Sequence, residues 1–160
     1  MKKTKVKTIT QAAIIAALYV VLTFIANAMG LASGVIQVRI SEALTILPFF
    51  TPAAIPGLFL GCLLSNILTG GVIWDIIFGS IATLIGAIGT YALRNHKWLT
   101  PIPPILSNAI IVPFVLVYAY GVTDALPYLM FTVGIGEIIS AGVLGMILLS
   151  ALSKHKNIFK

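Results

Sequence analysis

Charged residues are scarce in this sequence, and most of the few present are basic. Only 9% of the 160 residues are charged while 59% are hydrophobic, and the mean hydropathy is +1.10. A soluble domain of this length could not bury so much apolar surface. Apolar runs of about 20 residues recur along the chain with short breaks between them. We therefore predict an integral membrane protein that is all-α and forms one domain over residues 1–160.

Disulfides, metal-ligand clusters and catalytic motifs are also missing from the sequence. Cys62 is the one cysteine, which excludes a disulfide framework. There is no GxxxxGK[ST] phosphate loop, and both histidines, His96 and His155, lie in basic segments. The sequence thus predicts no ATP hydrolysis, no metal, no cofactor and no enzyme activity. Acid/base work by two membrane carboxylates on a peptide or a lipid is kept as a remote alternative.

The basic residues indicate the topology. They cluster before the first apolar run, in one internal loop and in the tail: Lys2, Lys3, Lys5, Lys7; Arg94, Lys97; Lys154, Lys156, Lys160. Each cluster abuts a predicted membrane exit, which argues against a nucleic-acid partner. By the positive-inside rule all three lie in the cytoplasm, and this requires an even number of spans.

Three prolines decide how many spans there are. They fall within residues 41–69, so we divide this stretch at PFFTPAAIP, where helix is disfavoured. The first apolar run is long enough to span and is interpreted as a retained helix, not a signal peptide. The prediction is six transmembrane helices in a bacterial plasma membrane, with both termini cytoplasmic. Their approximate bounds are 9–29, 41–50, 53–69, 73–93, 101–120 and 126–152.

Polar residues gather in the outer half of this topology. Glu137 lies about 11 residues into the last span, near the middle of an apolar core roughly 30 Å thick. A carboxylate at that depth must face a cavity or a partner, which favours a functional role over a structural ion pair or hydrogen bond. The other candidates for a pocket open to the outside are Asp75, Trp74, Asn66, Asn108, Arg39 and Glu42.

Structural alternatives exist for most of these candidates. Asp75 could cap its helix, and Trp74 could belong to the interfacial aromatic belt, as could Tyr118 and Tyr120. Asn108 could bond to a neighbouring helix.

The pair Arg39 and Glu42, three residues apart, could be a surface ion pair without a function. The convergence of so many polar residues near one face nevertheless favours a binding pocket. Since the chain has no ATPase motif, the pocket belongs either to a binding subunit driven by other proteins or to a proton-coupled permease. In the permease, Glu137 or Asp75 would be the proton site.

Small residues in the first span predict a helix contact. Ala12 with Ala16 and Ala13 with Ala17 form two overlapping small-x-x-x-small pairs, which allow another helix to approach closely. We interpret them as a candidate docking face for a partner protein.

Four long strings carry a family resemblance: VIQVRISEALTILPFFTPAAIPGLFLGCLLSNILTGG, WDIIFGSIATLIGA, PPILSNAIIVPFVL and GIGEIISAGVLG. They resemble the QueT family of queuosine-precursor transporters, which are substrate-binding S components of energy-coupling factor (ECF) transporters. The resemblance implies six helices, cytoplasmic termini, and docking on a transmembrane coupling protein that works with two ATPase subunits. It places that docking on the Ala-x-x-x-Ala face, here Ala12 and Ala16 with Ala13 and Ala17 alongside.

The ligand that the resemblance implies is a 7-deazaguanine, such as queuine or its 7-aminomethyl precursor. Carboxylates could accept the N–H donors of the guanine-like edge and an aromatic ring could cover its plane. Three residues, Glu137, Asp75 and Trp74, could supply these groups, while Asn66 or Asn108 could meet the carbonyl side. Which acid has which role stays open, and Arg39 and Glu42 could instead latch the external loop.

Overall fold

The structure is a computed structural model that describes residues 2–32, 35–155 and 159, with the side chains of residues 2–4 left out. Lys156 and Lys160, two of the predicted tail cations, lie outside the described residues. Over the described ranges the chain is helical and has no strand. The principal helices are α1 (Lys2–Ala28), a 3₁₀ helix (Ile40–Phe49), α2 (Ala54–Leu68), α3 (Ile73–Ala92), α4 (Ile102–Tyr118) and α5 (Leu126–Ser153).

Within the described part of the chain, four segments are long and apolar enough to cross a membrane, by length and composition: Lys5–Ala28, Ile73–Ala92, Lys97–Tyr118 and Leu126–Ser153. The 3₁₀ helix and α2 are apolar but shorter. At about 2.0 Å per residue, ten residues of 3₁₀ helix cover roughly 20 Å, against roughly 15 Å as α-helix. The six-span count and the cytoplasmic termini stay predictions.

The predicted break at the prolines is present. The 3₁₀ helix ends at Phe49, and α2 begins at Ala54 after a short turn. Pro56 falls in the first turn of α2, where a missing backbone N–H costs nothing. The difference from the prediction is the geometry of the segment before the break, which is 3₁₀ and not α-helical.

The basic clusters meet at one end of the helix bundle. Helix α1 packs along α2 and runs parallel to it, since Gly57 lies against Ala12 and Gly61 against Tyr19; α2 packs on α3, α3 on α4 and α4 on α5. Hydrogen bonds join the parts at this end: Lys97 Nζ donates to Ser150 Oγ at 3.4 Å, and Thr51 Oγ1 donates to Gln11 Oε1 at 3.1 Å. We call this the basic end and the opposite end the cavity end.

The contact between α1 and α2 is unusually close. A Cβ added to Gly57 would lie 2.8 Å from the carbonyl oxygen of Ala12, and one added to Gly61 would lie 2.7 Å from Cβ of Tyr19. Glycine is therefore required at both positions. Ala16 is buried in the same contact and Ala12 is half-buried.

The two alanine pairs of α1 thus have different surroundings. Ala12 and Ala16 face α2 inside the protein, whereas Ala13 and Ala17 are exposed. Ala16 is only 7% exposed and is not free to meet a partner helix in this conformation. The predicted docking face is therefore reduced to Ala13 and Ala17, and its use by a partner stays a prediction.

Candidate functional site

A polar cavity of about 440 Å³ opens at the cavity end of the bundle. Its walls come from α1, α2, α3, the segment before the 3₁₀ helix and the loop after α4. The polar side chains that line it are Thr23, Asn27, Gln37, Arg39, Ser41, Asn66, Thr69, Asp75 and Tyr120. Three of the predicted site residues, Arg39, Asn66 and Asp75, are therefore brought together in one cavity.

Asn66 connects two walls of the cavity. Its side chain is 2% exposed, and its Oδ1 accepts a hydrogen bond from Arg39 Nη2 at 3.4 Å. Its Nδ2 donates to the backbone carbonyl oxygen of Asp75 at 3.3 Å. Because Asn66 uses both ends of its amide, it fixes the Arg39 guanidinium relative to the start of α3.

Asp75 and Tyr120 form a second pair on the cavity wall. The Tyr120 hydroxyl donates to Asp75 Oδ2 at 2.9 Å. Partial burial and the neighbouring Asp75 carboxylate both raise the pKa of Tyr120 above its ordinary value. Tyr120 is therefore neutral and a hydrogen-bond donor around neutral pH. It also gives the cavity an aromatic ring.

Glu42 lies in a buried layer beneath the cavity. It is fully buried, the Tyr19 hydroxyl donates to its Oε1, and Asn108 Nδ2 donates to its Oε2 at 3.5 Å. The alternative of a surface ion pair with Arg39 is therefore wrong, because Glu42 does not reach the surface. Glu42 is not among the residues that line the cavity.

Glu137 lies in the same layer but has a different environment. It is 5% exposed, and its Oε2 accepts no hydrogen bond from the described part of the chain. Asn108 and Glu42 are both close to it, so the structure brings three of the predicted site residues together here, although Glu42 was expected near the external loop. An unpartnered buried carboxyl oxygen is rare in proteins and requires an explanation.

The segment 37–39 covers Glu137. A Cβ at Gly136 would collide with the backbone carbonyl oxygen of Gln37, so glycine permits the segment to cross α5 at this point. The Arg39 backbone N–H donates to Ser140 Oγ at 3.0 Å, which fastens the segment to α5. A π-helical section, Ile138–Leu144, begins directly after Glu137. Such sections occur frequently at functional sites.

Trp74 is not part of the polar cavity. Its side chain is 55% exposed and its ring stacks on Phe78, with the ring centroids 6.0 Å apart. It lines a separate apolar groove of about 660 Å³ between α3 and α4, together with Phe114 and Tyr118. Adjacent helical residues point to different sides, so Asp75 can face the cavity while Trp74 faces away from it.

Sequence reasoning assigned no site role to several residues that the structure places here. Tyr120 was interpreted as an interfacial anchor, and Tyr19, Thr23 and Gln37 were not singled out. Tyr19 could have been found, because a tyrosine in the middle of an apolar span needs a partner for its hydroxyl. Thr23 and Gln37 carry no comparable signal.

The fold and the site together define a helical membrane protein with a polar cavity at one end of the bundle. Comparison with known families shows which family of membrane proteins the chain belongs to. The profile of the QueT transporter family matches residues 9–154, and the chain belongs to this family. The family is described as one of transporters, and the chain spans about half the length of the curated relative that it matches.

One curated relative supports the same assignment. It is the queuosine precursor transporter QueT of Lactococcus lactis subsp. cremoris (strain MG1363), and it is 41% identical over 86 residues. The alignment covers 53% of this chain and 50% of the relative. No solved structure matches the chain.

Proposed function

We propose that the protein is the membrane-embedded binding subunit for uptake of a queuosine precursor of the 7-deazaguanine class. The observation that carries the proposal is the polar cavity, in which one cation, one carboxylate, three amides and one aromatic ring converge. Membership of the family, and the similarity to a queuosine precursor transporter, support a transport role. The positive-inside rule directs the basic end to the cytoplasm and the cavity towards the outside.

The chemistry of the cavity suits a guanine-like base. Such a base presents two adjacent N–H donors on one edge, with a carbonyl oxygen beside them. Asp75 can accept the donors, and Arg39 can donate to the carbonyl oxygen. The Tyr120 ring is available to cover the base plane. A further cationic group, as in the 7-aminomethyl compound, would be attracted by the carboxyl groups beneath the segment 37–39.

Transport requires an energy source, and this sequence contains no ATPase motif. We propose that a separate ECF module, with one transmembrane coupling protein and two ATPase subunits, supplies it. The exposed pair Ala13 and Ala17 is the proposed contact, because it remains open on α1 while Ala12 and Ala16 are covered by α2. Small residues on a lipid-facing helix allow a partner helix to approach its backbone.

The proposal is tested by reconstitution. The purified protein in liposomes should bind 7-aminomethyl-7-deazaguanine but accumulate none until the coupling protein, the ATPases and ATP are added. An Asp75→Asn variant should bind more weakly, whereas Asp124→Asn, which removes an acid outside this cavity, serves as the matched control. Uptake by the protein alone under a pH gradient would support a proton-coupled permease instead.

A further inference from the structure

Two carboxyl groups share the buried layer beneath the cavity, and only one of them is fully hydrogen-bonded. Glu42 accepts bonds at both oxygens, from Tyr19 and from Asn108. Glu137, which is 5% exposed, has one carboxyl oxygen that no donor in the described part of the chain reaches. The two side chains interact electrostatically, so their charges are not independent.

The charged and titratable groups around Glu137 can be assigned to the elements that pack there. The 3₁₀ helix contributes Glu42, and the segment before it contributes Arg39. Behind Glu42 and Arg39 lie further titratable groups from α1, α2 and α3, namely Tyr19, Cys62 and Asp75. Among these groups Arg39 is the one cation, and its guanidinium is already held by Asn66.

One cation cannot compensate two buried carboxylates. A buried ionised carboxyl group without a hydrogen-bond partner or a counter-charge is very costly, and such a group becomes neutral instead. Arg39 is close to both carboxyl groups, but Glu42 accepts hydrogen bonds at both oxygens, so of the two it is better able to carry the negative charge. Glu137 has an unpartnered oxygen and a like charge next to it, so it is the group that takes up a proton.

We propose that Glu137 holds a proton in the ligand-free protein and releases it when a cationic ligand binds. The identity of the ligand in this inference rests on the proposed function. The protonation of Glu137 in the ligand-free protein does not depend on it. On binding, the O–H bond of the Glu137 carboxyl group breaks and the proton passes to water in the cavity. The ammonium group of the ligand supplies the positive charge in its place, so the net charge of the site is unchanged.

The position of Glu137 suits this exchange. Gln37 and Arg39 line the cavity, and the backbone between them crosses α5 at Gly136, immediately before Glu137 in the chain. A cation on the floor of the cavity would therefore lie across this segment from Glu137. The same exchange discriminates between cationic and neutral ligands, because a neutral base leaves the proton on Glu137 and is not attracted by its charge.

The first test needs no ligand. Infrared spectra of the free protein at neutral pH should contain the C=O stretch of a protonated carboxyl group. Glu137→Gln should remove this band, whereas Asp124→Asn, which removes an acid outside the buried layer, should retain it. Glutamine resembles the neutral carboxyl group in size and charge, so the Glu137→Gln protein should fold. A spectrum without the band, or a band that survives in Glu137→Gln, would overturn the proposal.

The second test counts protons on binding. Calorimetric titration with 7-aminomethyl-7-deazaguanine, in two buffers of different ionisation enthalpy, should show release of about one proton per ligand. The affinity should rise about tenfold per pH unit while Glu137 is protonated in the free protein and ionised in the complex. In Glu137→Gln the proton count should fall to about zero, and guanine should release none from the wild type.

The outcomes separate this proposal from the proposed function. Binding of the 7-aminomethyl compound without proton release would overturn the exchange and leave the transport assignment intact. If no deazaguanine binds, the proposed ligand is wrong, and the infrared band alone then decides whether Glu137 is protonated.

Discussion

The two ends of the bundle differ in how closely their helices pack. Near the basic end α1 and α2 are in contact through Gly57 and Gly61, and the neighbouring lining is apolar. At the cavity end the helices separate around polar side chains that bond to one another across the gap. We propose that the two ends have different roles: the cavity end recognises the ligand, and the α1 surface nearer the basic end meets the partner.

The largest effect, a loss of transport and assembly, is expected from bulky substitutions on the exposed face of α1. Ala13→Leu with Ala17→Leu should abolish ATP-driven transport and assembly with the coupling protein while ligand affinity stays unchanged, because bulky side chains prevent close helix approach. Pull-down and calorimetry on the same preparation measure the two properties. The pair Ala12→Leu with Ala16→Leu should instead destabilise the protein itself, since these residues face α2. Equal loss of binding and assembly in the Ala13/Ala17 variant would contradict this separation of roles.

A large effect confined to the cavity end is expected from Glu137→Gln. The variant cannot become anionic when the ligand cation arrives, so a charged interaction worth about 2 to 4 kcal/mol is lost, or roughly 30- to 1,000-fold in affinity. Calorimetry with 7-aminomethyl-7-deazaguanine measures the loss, and guanine affinity should change much less. Unchanged affinity for the 7-aminomethyl compound would remove Glu137 from the site.

A smaller effect on ligand affinity is expected from a substitution in the cavity wall. Asp75→Asn removes the charge that accepts from Tyr120 and replaces an acceptor-only oxygen by an amide nitrogen, which should weaken ligand binding about tenfold, or about 1.4 kcal/mol. Asp124→Asn is the matched control and should bind like the wild type. Equal weakening in both variants would indicate a general field effect and not a contact.

The smallest effect is expected at Trp74. Because its ring lies in the apolar groove with Phe78 and outside the polar cavity, Trp74→Phe should change ligand affinity less than about twofold. Fluorescence-free methods such as native mass spectrometry are suitable for this comparison, since the substitution removes a tryptophan. A loss as large as that of Asp75→Asn would place the aromatic contact at Trp74, as the sequence predicts.

The positions of the long helices could be predicted from the sequence. The last two spans of α-helix were predicted at 101–120 and 126–152, and the structure has Ile102–Tyr118 and Leu126–Ser153. Apolar run length and the prolines at the loops decide these bounds, and both are visible in the sequence. The 3₁₀ geometry of residues 40–49 is not visible there, because it depends on packing against four other helices.

Which side of each helix faces inwards could not be predicted. Trp74 and Asp75 are adjacent, as are Ala12 and Ala13, and in each pair the structure separates the inner residue from the outer one. A membrane helix is apolar on all sides, so the pattern that marks the buried face of a soluble helix is weak. Glu137 could be selected as a candidate, because the cost of a carboxylate at that depth does not depend on the direction in which the helix faces.

The most direct test of the central claim is an experimental structure of the purified protein with 7-aminomethyl-7-deazaguanine bound. The predicted result is ligand density in the 440 Å³ cavity, with the base between Arg39, Asp75 and Tyr120 and its aminomethyl group directed towards Glu137. Density in the apolar groove beside Trp74, or in the separate cavity beside Asp124, would contradict the assignment of the site.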